Sequence, residues 1–168
     1  MDSYFSSRYW ILITLFLAPE ISYASPLAFD SYKVSEVYRG AHKLKAGAQG
    51  DKNLEEVRKN ALKVPVNFAG HYVIYTTGCG GSTLCGEILD VKTGEVVESF
   101  PNAYYIDGED GTAPFSAASE PDSRLLIITG VAADTETGMK GEELDQGSRQ
   151  RYYEFLNNKL LLINIVKK

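Results

Sequence analysis

The sequence predicts an α+β fold: a mainly antiparallel β-sheet with one N-terminal amphipathic helix, about residues 53–63, packed on it. Three observations carry this expectation. Only one segment has helical periodicity, the chain after Gly70 turns to period two, and two late runs are apolar on both alternating faces.

From residue 27 to residue 50 the pattern is irregular. Phe29, Tyr32, Val34, Val37 and Tyr38 are scattered among polar residues before Gly40, Gly47 and Gly50, which reads as a short strand or a turn-rich lead-in. Asn53 is a capping residue with Glu56 three positions on, and Leu54, Val57 and Ala61 recur at helical spacing opposite Glu55, Lys59 and Lys63. Pro65 ends that helix. Its narrow apolar stripe suits a helix lying on a sheet.

Residues 71–77 are β-branched or aromatic and form a strand. Residues 85–91 lead through Lys92-Thr93-Gly94 into residues 95–100, a hairpin whose glycine supplies a positive φ. Residues 124–129 and 160–165, apolar on both faces, should be central strands covered on both sides. Residues 151–156 turn at Asn157-Asn158-Lys159 into the last strand, closing a second hairpin. Residues 101–123 and 132–148 are rich in Gly, Asp, Glu, Ser and Pro and read as long loops. Their acidic groups do not follow the alternating-ligand spacing of a calcium loop, so solvated turns explain them. Propeller-like phrases at residues 90–94 and 121–126 are not part of any repeat of about 40 residues.

Residues 9–18 are an apolar run preceded by Arg8 and followed by Pro19 and then Ser22-Tyr23-Ala24, the pattern of a secretory signal peptide over residues 1–24. The run is too short to span a bilayer, which needs about 20 apolar residues, so no stable membrane anchor is expected after cleavage. Residues 25–168 then form a single β-rich domain, periplasmic or secreted. The formal charge of −5 stays mildly acidic without Arg8, Asp2 and Glu20. No basic stripe interleaves with aromatics, so nucleic acid is not an expected partner.

Cys79 and Cys85 are the only cysteines, set in a Gly-rich run. In an oxidising compartment they form a disulfide, and the five residues between them are not the two-residue spacing of a redox motif. With only His42 and His71 elsewhere, no zinc-ligand spacing exists, and no metal or cofactor motif is present.

Asn67-Phe68-Ala69-Gly70-His71-Tyr72, then Gly78-Cys79-Gly80, a second cysteine, the Asp90 to Gly94 hairpin, Asp122-Ser123-Arg124-Leu125-Leu126 and Tyr152-Tyr153-Glu154 follow one another in the chain. This series resembles a group of small exported bacterial proteins over roughly residues 54–165. The chain departs from that group's pattern in carrying Thr77 where the group has Trp, and in the wider spacing of its cysteines. The resemblance implies export, a β-rich single domain and a disulfide, and supplies no reaction.

His71 is a candidate general base, with Glu87 and Asp90 as candidate carboxylate partners on the neighbouring strand. Strand alternation puts His71, Val73 and Tyr75 on one face and Tyr72 and Ile74 on the other. Tyr72, Tyr75, Tyr104, Tyr152 and Arg124 are candidate binding residues, since exposed tyrosines are rigid and amphipathic and each adjacent pair should turn one ring outward. No serine-hydrolase elbow or P-loop occurs. The expectation is a non-enzymatic, exported binding or inhibitor/immunity-type module whose partner is an envelope protein or glycan. The alternative is an envelope hydrolase using His71 with a nearby carboxylate.

Overall fold

The computed structural model describes residues 27–43, 45, 52–108 and 113–168. The signal segment and cleavage site expected over residues 1–24, and part of the acidic run at 107–111, lie outside the described residues. Among the described residues no helix is long and apolar enough to cross a membrane.

A 3-10 turn at Phe29–Tyr32 precedes the helix α1, Lys52–Ala61. Strands β1 (Tyr72–Gly80), β2 (Thr83–Asp90) and β3 (Glu95–Ser99) form an antiparallel meander, and β4 (Tyr104–Tyr105) pairs with the Thr83 end of β2. β5 (Ser116–Ser119) and β6 (Leu125–Val131) belong to a second sheet. After a small ladder of β7 (Glu136–Thr137) with β8 (Glu143–Leu144), that sheet is completed by β9 (Ser148–Leu156) and β10 (Lys159–Lys167), in the order β10-β9-β6-β5. Every ladder is antiparallel.

The main core lies between the sheets. Tyr72, Ile74 and Ile88 of the first meet Leu126, Ile128, Tyr153 and Phe155 of the second, with Phe68, Phe100 and Tyr104 filling the ends. A second cluster, Val73, Leu89 and Val91 with Ala61 and Val66, lies on the other face of the first sheet, and Tyr75 packs against it. Successive β1 residues thus serve opposite layers, as alternation requires. Each fully buried aliphatic side chain contributes about 1.5–3 kcal/mol. Arg58 of α1 grips Glu87 of β2 through two hydrogen bonds of 3.1 and 3.0 Å, which ties helix to sheet.

The hairpin around Gly94 forms as expected, with Gly94 at φ 80° and its N–H donating to the Asp90 carbonyl at 2.7 Å. Three expectations need correction. Residues 160–165 do not form a central strand: β10 is the edge of its sheet, and Leu161 is 48% exposed. Leu160 and Leu162 face the core, and a bulge between Leu162 and Asn164 shifts the register, so the two-faced apolar pattern reflects an irregular edge. The segments read as loops, 101–123 and 132–148, carry the short strands β4, β5, β7 and β8. Finally, Tyr104 is wholly buried, so it cannot present a binding surface.

Candidate binding cleft

The Asn67 to Tyr72 stretch is built as a tight reversal into β1. Phe68 and Tyr72 exchange backbone hydrogen bonds (3.0 and 3.2 Å), and Ala69 and Gly70 between them take positive φ, 42° and 86°. A Cβ at Gly70 would lie 2.6 Å from the Glu36 carbonyl oxygen, so the position needs glycine on two counts. The reversal is pinned by Ala69 N–H to the Ser123 carbonyl (3.0 Å) and Gly70 N–H to the Pro121 carbonyl (2.7 Å). It therefore sits beside the entry to β6.

This juxtaposition opens a cleft of about 420 Å³ lined by Ala69, His71, Tyr72, Arg124, Phe155, Leu156, Asn157 and Asn158. One wall is the β9–β10 turn, where Asn157 and Asn158 both adopt positive φ, 51° and 59°, a conformation that Asn tolerates better than most residues. The Tyr72 hydroxyl donates to Asn158 Oδ1 at 2.9 Å, joining that turn to β1. The His71 and Tyr72 rings lie 4.1 Å apart, and Tyr72 meets Phe155 edge-on at 4.9 Å. Arg124 donates to Glu154 Oε1 at 3.0 Å, while its Nε is buried with no hydrogen-bond partner among the described residues. Residues 29–34 support this wall: Ser123 Oγ donates to the Phe29 carbonyl (2.8 Å) and Arg124 N–H to the Tyr32 carbonyl (2.9 Å).

His71 Nε2 stands 3.9 Å from Asp90 Oδ2, too far for a hydrogen bond. Burial, and next the positive Lys92 side chain, depress the His71 pKa below its ordinary value against the opposing pull of Asp90. The imidazole is therefore neutral at neutral pH and can act as donor or acceptor. Burial raises the Tyr72 hydroxyl above its usual range, with Asp90 adding to the shift. It stays a protonated donor.

Of the residues singled out in the sequence, His71, Tyr72 and Arg124 line the cleft and Asp90 stands behind it. Glu87 and Tyr75 are elsewhere: the Tyr75 hydroxyl and Arg58 both donate to Glu87 under α1. Tyr152, half-buried, is on β9, its hydroxyl on Gln150. Cys79 and Cys85 are joined, with Cα atoms 5.8 Å apart, across the β1–β2 hairpin. His71 precedes the nine residues of β1 and Cys79 nearly ends them, so the two are roughly 25 Å apart at about 3.3 Å per residue. The disulfide and the cleft are at opposite ends of the sheet.

Asn157 and Asn158 read in the sequence only as a turn, and Ser123 only as the end of a long loop. A second constellation was missed altogether. Glu136 accepts from Arg149 Nη1 at 2.9 Å and from Arg151 through Nη2 at 2.9 Å and through Nε. Arg151 is fully buried and stacks over the Tyr104 ring at 5.1 Å. Burial is the largest influence and works against its charge, but the hydrogen bonds to Glu136, joined by the electrostatic pull of Tyr104, Glu136 and Tyr153, together hold the guanidinium above its ordinary pKa. The alternation of Arg149 and Arg151 with Tyr153 and Phe155 along β9 was the available signal, because it places both arginines on the core face. Among the described residues no group of three or more His, Cys, Asp or Glu could hold a metal ion.

No known protein family matches the chain, no curated protein matches it in sequence, and no solved structure matches it.

Proposed function

We propose that this chain is an exported, non-enzymatic binding module of the inhibitor or immunity type, held by one disulfide, whose cleft takes a glycan unit of the cell envelope. The observation that carries the reading is the cleft's division. Exposed Leu156, with the edges of the buried Ala69, Tyr72 and Phe155 behind it, supplies the apolar side, while Asn157, Asn158, His71 and Arg124 supply donors and acceptors around it. A sugar ring has the same division, an apolar face for an aromatic side chain and hydroxyls for amides and guanidinium.

The test is capture of envelope fragments by residues 25–168 and by the variants Arg124→Ala and Asn158→Ala. Retention of glycan fragments by the wild type and its loss in both variants support the reading. Equal retention by all three, retention of protein alone, or no retention overturns it.

A second reading, an envelope hydrolase with His71 as base, is favoured by Asp90 at 3.9 Å from the imidazole. It requires cleavage of an envelope substrate that His71→Ala abolishes with binding intact.

A further inference from the structure

Among the described residues β1 is an edge strand whose only strand partner is β2. In an antiparallel pair every second residue turns its N–H and C=O away from the neighbour. The residues of β1 that do so are identified by what meets them. Tyr72 exchanges bonds with Phe68, and Ile74 exchanges bonds with the Asn67 side chain: Ile74 N–H to Oδ1 at 2.7 Å, and Nδ2 to the Ile74 carbonyl at 2.9 Å. Asn67 thus stands in the lane of a missing strand. The period of two makes Thr76 and Gly78 the next outward residues, before the register shift between Gly78 and Gly80.

Neither Thr76 nor Gly78 has an outward backbone partner among the described residues, and both are exposed. Nothing lies within 4 Å of the place a Cβ would take at Gly78 or Gly80. The Cys79–Cys85 bond closes the hairpin immediately beyond, which keeps this bare edge extended. We infer that the Thr76–Gly78 edge of β1 is a docking site for an extended peptide segment of a partner protein, which adds as a further strand beside the disulfide.

The chemistry of the edge selects that occupant. Two N–H and C=O sets spaced about 6.8 Å apart match a peptide backbone, and the amide of Asn67 already fills the same role one step earlier. A second copy of β1 is a poorer fit. Pairing Thr76 with Gly78 of another copy would lay that copy's hairpin tip in the lane Asn67 occupies. The glycine also leaves room for bulky side chains on the incoming strand. This surface is independent of the cleft, which lies at the other end of β1.

The experiment is selection of linear peptides of about twelve residues, displayed on phage, against residues 25–168, with affinities then measured for the wild type, Gly78→Pro, Asn67→Ala and Arg124→Ala. Proline removes the outward N–H and is tolerated on an edge strand. Selected peptides should bind Gly78→Pro roughly tenfold or more weakly, through the hydrogen bonds lost, and should bind Arg124→Ala unchanged. They should bind Asn67→Ala more tightly, since a third outward residue becomes available, and should slow hydrogen exchange at Thr76 and Gly78. The Asn67→Ala result decides the matter if Gly78→Pro fails to fold. The inference is overturned if no peptide is enriched, if Gly78→Pro and Asn67→Ala both bind as the wild type does, or if protection falls elsewhere. It is also overturned if the edge proves to hold a dimer that Gly78→Pro separates. Loss of binding only in Arg124→Ala would assign the peptides to the cleft.

Discussion

Replacing Glu136 by leucine should destabilise the protein by about 3–5 kcal/mol, because it leaves two guanidinium groups in the core without their counter-charge. Three charge-assisted hydrogen bonds end on this carboxylate, from Arg149 Nη1 and from Nε and Nη2 of Arg151. At about 1.5–3 kcal/mol each they would sum to about 4.5–9 kcal/mol, mostly above the figure given. The smaller value follows from what the arginines keep. Arg151 still donates to the Gly130 and Arg149 carbonyls at 3.0 Å each, and Arg149 to the Asp145 and Gly147 carbonyls. Urea unfolding of residues 25–168 followed by far-ultraviolet circular dichroism is the suitable assay, since the only tryptophan, Trp10, precedes them. With a slope of about 2 kcal/mol per M, the midpoint should fall by about 2 M. A triple variant with Glu136, Arg149 and Arg151 all replaced by apolar residues of similar volume should recover to within about 1 kcal/mol of the wild type. A loss below about 1 kcal/mol for Glu136→Leu alone would refute the reasoning, as would a triple variant no more stable than the single one.

Replacing both cysteines by alanine should cost about 2–2.5 kcal/mol on the chain-entropy account of so short a loop, read from the same urea midpoint. Gly70→Ala should destabilise by at least 1 kcal/mol, because alanine resists the positive φ and its methyl meets the Glu36 carbonyl; thermal unfolding measures it. Asn67→Ala leaves the Ile74 N–H and C=O without partners and should lower stability by about 1–3 kcal/mol in urea. The depressed pKa of His71 means that the unfolded chain takes up its proton first as pH falls. Its stabilising contribution is therefore complete above the unfolded value of about 6.5 and is lost as pH drops below it, towards the lower native value. Urea midpoints between pH 7.5 and 5 should fall more steeply for the wild type than for His71→Asn, and the imidazole should titrate by NMR below its ordinary range.

The period change at Gly70 and the Lys92-Thr93-Gly94 turn were legible because local chemistry dictates them. The cleft was legible in part. His71, Tyr72 and Arg124 stand out as residue types, but their meeting depends on the reversal at Ala69 and Gly70 resting against Pro121 and Ser123, a contact no local pattern records. Tyr104 misled because alternation turns one ring of the Tyr104–Tyr105 pair outward without saying which; Tyr104 is the buried one, its ring held by the Arg151 guanidinium and by Phe100 and Phe115. Leu161 misled in the opposite sense, as an apolar residue left in water at a sheet edge. The Glu136 network stayed hidden since a two-residue strand inside a polar stretch has no period of its own.

The disulfide joins two strands that are already paired, with Thr77 opposite Cys85 and Gly78 opposite Leu84. It encloses no part of either hydrophobic cluster. Reduction would slacken only the hairpin tip and leave the two-sheet body standing, so the oxidising power of the surroundings acts on one extremity of the molecule alone. A thiol-reducing milieu would in that way dull one surface of the protein while sparing the cleft at the other.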